Sequence, residues 1–78
     1  MTDTELFQKI EERLAHARNK HPVFAEGKYH ALGVIGEEFR ELEHAVIYES
    51  DERQKDEALD VAITAIRFVQ EEHRHGER

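Results

Sequence analysis

The sequence predicts an all-α chain of three helices that completes a four-helix-type bundle by associating with further copies of itself. Apolar residues recur at helical spacing in three segments, which Pro22 and a turn at Ser50 separate. The chain has 78 residues and no cysteine, so its own core is small and no disulfide can compensate. Self-association is the usual remaining route to stability, and we expect a homodimer or a homotetramer.

The first helix is predicted over residues 3–20. Thr2 and Glu5 have the spacing of a capping box, and the apolar positions that follow keep helical spacing: Leu6, Ile10, Leu14 and Ala17. Pro22 stops this helix. The connector, residues 21–27, contains Val23 and Phe24. Two apolar side chains in so short a loop indicate that it packs onto the body of the protein or lines a pocket.

The second and third helices are predicted over residues 28–49 and 52–73, with Ser50 and Asp51 supplying the turn and an N-cap. The apolar arc of the second helix consists of Leu32, Ile35, Phe39, Leu42 and Val46. Apolar residues cover roughly two thirds of the circumference of the third helix, more than the stripe a surface helix needs. This excess again predicts a partner copy. The chain is expected to be one domain, with a core over residues 3–73 and a polar tail over 74–78.

Charge and hydropathy exclude several classes of partner. The formal charge is −7 and no basic stripe is present, so we expect no nucleic-acid binding. The N-terminus lacks the basic and apolar regions of a signal peptide, and no apolar run reaches the roughly 20 residues of a membrane span. We therefore expect a cytoplasmic protein without membrane contact.

Four acidic residues stand out on the second and third helices. Glu38 projects into the apolar sector of its helix and Glu41 lies at the edge of that sector, while Glu57 and Asp60 lie on the polar strip of the third helix. The strip either faces solvent or faces Glu38 and Glu41 across the turn. In the second arrangement the four carboxylates form the oxygen-rich ligand set that Mg²⁺ or Mn²⁺ prefers. Such ions polarise phosphates and activate water.

Five further residues are candidates for substrate binding. Lys55 and Arg67 are placed to neutralise phosphate, although ordinary surface charges give the same pattern. Lys20, His21 and Phe24 precede the acidic segment and form either a lid or base pocket, or simple packing.

The chain also contains a second spacing that is typical of metal ligands. Glu41-x-x-His44 and Glu72-x-x-His75 have the Glu-x-x-His spacing of carboxylate-bridged di-iron bundles. His44, however, points away from Glu38 on the helical wheel, and the second pair lies at the end of the chain.

The segments GEEFREL (residues 36–42) and DEALDVAI (residues 56–63) resemble the two signature segments of the MazG-like, all-α nucleoside triphosphate pyrophosphohydrolases. The family pattern, Glu-x-x-Glu followed by Glu-x-x-Asp, corresponds here to Glu38, Glu41, Glu57 and Asp60. The resemblance implies a helical bundle of two or four chains. It also implies Mg²⁺-dependent hydrolysis of a nucleoside triphosphate between its α and β phosphates, giving monophosphate and pyrophosphate.

By the same resemblance the four acids are metal ligands, and Glu38 or Glu41 is the catalytic residue that orients the attacking water. The alternative is a non-catalytic oligomerisation or regulatory module that retains the fold. Binding of Mg²⁺ and a nucleotide distinguishes the two hypotheses, because both ligands then stabilise the protein by mass action.

Overall fold

The computed structural model describes residues 1–74, which form three helices: α1 (Asp3–Lys20), α2 (Lys28–Tyr48) and α3 (Asp51–Val69). No strand occurs in these residues, which confirms the predicted all-α class. The predicted capping box at the start of α1 is present. The Glu5 N–H donates to the Thr2 hydroxyl, and the Thr2 N–H donates to the Glu5 carboxylate.

The other two helices begin at residues that suit their local geometry. Gly27 precedes α2 with a φ of 131°, a conformation that glycine adopts without steric cost. Ser50 is the N-cap of α3, because its hydroxyl accepts a hydrogen bond from the Arg53 N–H at 3.3 Å.

Helix α3 lies between the other two helices and packs most extensively against α2. The face that α2 turns towards α3 follows a seven-residue repeat of Ala31, Glu38 and Ala45. Both alanines are completely buried. Their small side chains allow the two helices to approach closely, and they place the Glu38 carboxylate in the middle of the contact.

The exposed apolar surface differs from the sequence expectation. We predicted it on α3, but α2 carries most of it, as a stripe of Leu32, Phe39 and Val46, which are 63%, 51% and 57% exposed. These residues belong to the arc that periodicity predicted to be the buried face of the helix. On α3 only Phe68 and Val69, at its C-terminal end, are exposed large apolar residues among those described. The reason is that α3 packs against both α1 and α2, whereas α2 has only α3 as a helical neighbour among the described residues.

The predicted end of the third helix at residue 73 is wrong, because α3 ends at Val69. The Glu72 N–H donates to the Arg67 carbonyl and the Glu71 N–H to the Phe68 carbonyl, at 2.9 and 3.0 Å. These are the two bonds of a Schellman motif, with Glu71 in the left-handed region at a φ of 57°.

Residues 70–74, here called the strap, then run back along the connector. The Phe24 N–H donates to the Glu72 carbonyl and the Arg74 N–H donates to the Ala25 carbonyl, each at 3.0 Å. The ring of His73 stacks on that of Phe68, with centroids 5.0 Å apart, and meets the Phe24 ring edge-on. Of the polar tail predicted over 74–78, only Arg74 lies within the described residues.

None of the helices in the described part of the chain combines the length and the apolar character that crossing a membrane requires.

Candidate metal and phosphate site

Three of the four predicted acidic ligands meet between α2 and α3. Glu38 and Glu41 from α2 and Glu57 from α3 each place one carboxylate oxygen within 4.8 Å of the others. Glu57 is only 7% exposed. Of the two arrangements that the sequence left open, the structure has the one in which the acidic strip of α3 faces α2. We call Glu38, Glu41 and Glu57 the acidic cluster.

Each helix positions its acids for a simple geometric reason. A short turn joins α2 to α3, so the two helices are antiparallel neighbours. Glu38 lies midway between the buried alanines of α2, and Glu41 follows one turn later on the same side of the helix. Glu57 is the first buried residue of α3.

The cluster is electrostatically unfavourable when its carboxyl groups are ionised. Burial raises the pKa of Glu38 to about 7, with further contributions from the charges of Glu41 and Asp60. Burial and the Asp60 charge also raise the pKa of Glu57. The pKa of Asp60 is raised by burial, although the neighbouring Arg13 guanidinium opposes the shift. Like charges brought together in a partly buried site therefore favour uptake of a proton or of a cation.

The hydrogen bonding of Glu57 tests whether a cation fits. Its Oε1 accepts from the Arg53 guanidinium at 2.5 Å. Its Oε2 is buried and has no hydrogen-bond partner within the described part of the chain. Oxygens that share one Mg²⁺ lie about 3 to 4.2 Å apart, given metal–oxygen distances of about 2.1 Å. The three oxygens lie within 4.8 Å of one another and one is buried without a partner, so the chemistry of this donor set fits a hard divalent cation.

The fourth predicted ligand, Asp60, lies outside this group of three. Its Oδ1 accepts from Nη1 of Arg13 at 3.3 Å, and Nη2 of the same guanidinium donates to Asp56 at 2.9 Å. Sequence reasoning missed Arg13. Its position was readable, because it follows Leu6 by seven residues and Ile10 by three and so shares their face of α1.

A cleft of about 480 Å³ opens beside the acidic cluster, between α1, the connector and α3. Glu38 lines it and therefore belongs to both the cluster and the cleft. Asp60 also lines the cleft, as do four of the five residues predicted to bind substrate: Lys20, His21, Phe24 and Arg67. The volume lies within the range of about 300–1,000 Å³ typical of small-molecule sites.

Lys55, the fifth of these residues, is placed elsewhere. It lines a separate, mostly apolar hollow between the N-terminal halves of α1 and α3, together with Lys9 and Leu59. The structure therefore brings Lys55 neither to the cleft nor to the acidic cluster.

The residues of the di-iron pattern are not brought together within the described part of the chain. Nδ1 of His44 lies 3.0 Å from the Glu49 carboxylate, and Glu72 pairs with Arg18 and Arg67. His75 lies outside the described residues.

None of the protein-family models, curated proteins and solved structures with which the chain was compared matches it. The functional assignment therefore depends on the residues and their geometry.

Proposed function

We propose that this chain is a Mg²⁺-dependent nucleotide pyrophosphohydrolase, for which Mn²⁺ is an alternative ion. It cleaves a nucleoside triphosphate between the α and β phosphates, and the products are a nucleoside monophosphate and pyrophosphate. The observation that carries the proposal is the acidic cluster with its unpaired, buried Glu57 oxygen, together with a cleft that shares Glu38 and contains Lys20 and Arg67.

The acidic cluster supplies the ligands for the ion, and Asp60 adds negative charge beside it. When bound, Mg²⁺ neutralises phosphate charge and lowers the pKa of water. The attacking water oxygen bonds to the α phosphorus, and the bridging oxygen leaves with pyrophosphate. We assign the orientation of this water, and the acceptance of its proton, to Glu38 or Glu41. A bound cation would favour the ionised form of these carboxylates, which can accept a hydrogen bond and then the proton from the attacking water.

The other cleft residues act on the substrate itself. The ammonium of Lys20 and the guanidinium of Arg67 neutralise phosphate oxygens as negative charge shifts to the leaving group. Phe24 offers an aromatic face to the base. Further copies of the chain cover the exposed stripe of α2 and complete the bundle.

Release of pyrophosphate from a panel of canonical and modified nucleoside triphosphates tests the proposal. We expect turnover that requires Mg²⁺ or Mn²⁺, and we expect Glu38→Gln and Asp60→Asn to lower it by about 100-fold or more. Glu37→Gln is the matched control, because Glu37 is the exposed neighbour of Glu38. Its turnover should equal that of the wild type.

If the wild type is an intact helical oligomer that hydrolyses none of these nucleotides, the catalytic proposal fails for the compounds tested. Thermal unfolding then shows whether the protein binds Mg²⁺ and a nucleotide. A midpoint that Mg²⁺ and a nucleotide raise in the wild type, but not in Asp60→Ala, indicates a site that binds without turnover.

A further inference from the structure

The strap places one carboxylate between two arginines. Glu72 accepts hydrogen bonds from Nε of Arg18 at 3.0 and 2.9 Å, one to each carboxylate oxygen, and Nη2 of Arg18 donates to Oε2. Glu72 also accepts a bond from Nε of Arg67 at 2.8 Å. Glu72 therefore joins α1 to α3 from a segment that follows all three helices.

These contacts fix the orientation of Arg67, which is only 3% exposed and lines the cleft. Nε is held by Glu72, Nη2 donates to the His21 carbonyl, and the guanidinium carbon lies 5.3 Å from the centroid of the Phe24 ring. None of these bonds uses Nη1. The guanidinium thus keeps donor capacity for a ligand while its plane is held from two sides.

Glu72 also holds a second part of the cleft wall. Its carbonyl accepts the Phe24 N–H, and the neighbouring His73 ring packs against Phe24 and Phe68. Glu71 has to adopt the left-handed conformation for the strap to return in this way, and this conformation is sterically unfavourable for a non-glycine residue. The contacts of Glu72 and His73 offset that cost.

We propose that Glu72 is a positioning residue, which holds the Arg67 guanidinium and the Phe24 wall in the geometry that binds a phosphate-bearing ligand. The inference rests on the proposed function, because it takes the ligand of the cleft to be a phosphate compound. The inference adds to the site a residue outside segments 36–42 and 56–63. It also gives the strap a role in the affinity for the ligand.

Calorimetric titration of the full chain with pyrophosphate in Mg²⁺ buffer tests this role. We expect Glu72→Gln to weaken binding about tenfold, because the amide no longer holds both guanidiniums. Glu26→Gln is the matched control. Glu26 pairs with Arg74 at 2.5 Å and so joins the connector to the strap, whereas the Glu72 carboxylate binds Arg18 and Arg67. The control should bind as tightly as the wild type.

Unchanged binding in Glu72→Gln overturns the inference, and so does absence of pyrophosphate binding by the wild type. Tighter binding overturns it as well, because Glu72 would then be a competing anion rather than a support. A double-mutant cycle separates positioning from general destabilisation. If Glu72 acts through Arg67, its substitution weakens binding no further in an Arg67→Lys background.

A measurement without ligand keeps the inference testable if Arg67→Lys does not fold. Nε–H of Arg67 should exchange slowly with solvent in the wild type and in Glu26→Gln, and at least about tenfold faster in Glu72→Gln. Equal exchange in all three proteins overturns the positioning role whatever the nucleotide assay shows. If Nε–H of Arg67 exchanges slowly and pyrophosphate binds tightly, but no nucleotide is hydrolysed, the positioning role of Glu72 stands. Only the catalytic proposal is then refuted.

Discussion

The environment of Glu38 conflicts with the ionised form of its carboxyl group for two reasons. The residue lies in the alanine-lined contact between α2 and α3, where a charged group loses hydration, and its nearest polar neighbours are carboxylates. A proton removes the conflict in the metal-free protein, whereas a divalent cation removes it while keeping the carboxylates ionised. The acidic cluster thus lowers stability when its carboxyl groups are ionised, and we expect a bound cation to restore that stability.

This conflict predicts a pH dependence in the presence of a chelator. The pKa of Glu38 in the folded protein, about 7, exceeds its ordinary value of 4.5. The folded state therefore binds more protons than the unfolded state between these values, so the free energy of unfolding falls as the pH rises from about 4.5 to 7. Glu38→Gln removes this loss. We expect the variant to gain about 1–2 kcal/mol relative to the wild type between pH 5 and pH 8, after allowance for solvent screening.

Urea unfolding at the two pH values measures the difference. Glu37→Gln, in the exposed neighbouring residue, should keep the pH dependence of the wild type. An identical pH dependence in wild type and Glu38→Gln would contradict the electrostatic account of the cluster. Addition of Mg²⁺ should stabilise the wild type at pH 8 and have little effect on Glu38→Gln.

At the scale of the helices, the end of α3 depends on contacts distant in sequence. Glu71 occupies the position after the helix where glycine is strongly preferred, and it does so at a φ of 57°. We expect Glu71→Gly to raise the free energy of unfolding by about 0.5–1 kcal/mol, because glycine adopts this conformation without the Cβ clash.

Gln70→Gly is the control for this prediction, because Gln70 has a φ of −83° and gains nothing from glycine. Urea unfolding of both variants at one protein concentration measures the effect. A loss of stability in Glu71→Gly would mean that the left-handed residue is not a source of strain.

The same region shows why the sequence predicted some elements and not others. The starts of the helices depend on local signals, such as the capping box of Thr2 and Glu5, and they were predictable. The end of α3 has neither glycine nor proline to mark it. The end is set by the pairing of Glu72 with Arg18 and Arg67. Local helix propensity does not reflect such contacts.

The site, like the helix ends, was predictable where local spacing determines it and not where tertiary packing does. Helical spacing sufficed to place Glu38, Glu41 and Glu57 near one another, because a short turn makes α2 and α3 neighbours. Periodicity did not distinguish the face of α2 that meets α3 from the exposed stripe of Leu32, Phe39 and Val46, since both repeat every seven residues and the large apolar side chains lie on the stripe. The salt bridge between Arg13 and Asp60 depends on how α1 docks, which the sequence does not specify.

At the scale of the whole molecule, the single chain has little core of its own. The buried apolar residues are Ala25, Ala31, Ala45 and Ile63, and no large side chain among those described is completely buried. Helix α1 has no buried residue. For a chain with so small a core and with an apolar stripe along α2, we expect that covering the stripe with another copy would supply much of the remaining stability.

The stripe therefore predicts the effect of Phe39→Glu on assembly. Phe39 lies at the centre of the stripe, and burial of a phenylalanine side chain contributes about 1.5–3 kcal/mol. We expect the wild type to sediment as a dimer or tetramer, with an unfolding midpoint in urea that rises with protein concentration. Phe39→Glu should sediment as a monomer and unfold at lower urea, with a midpoint independent of concentration.

Phe7→Glu is the matched control for the assembly experiment. Phe7 is 59% exposed, close to the 51% of Phe39, but it lies on α1 away from the stripe. The control should keep the mass and the concentration dependence of the wild type, because a charge at an exposed site outside the contact does not oppose association. A monomeric wild type, or equal dissociation by both substitutions, would show that the stripe of α2 is not the surface that joins the copies.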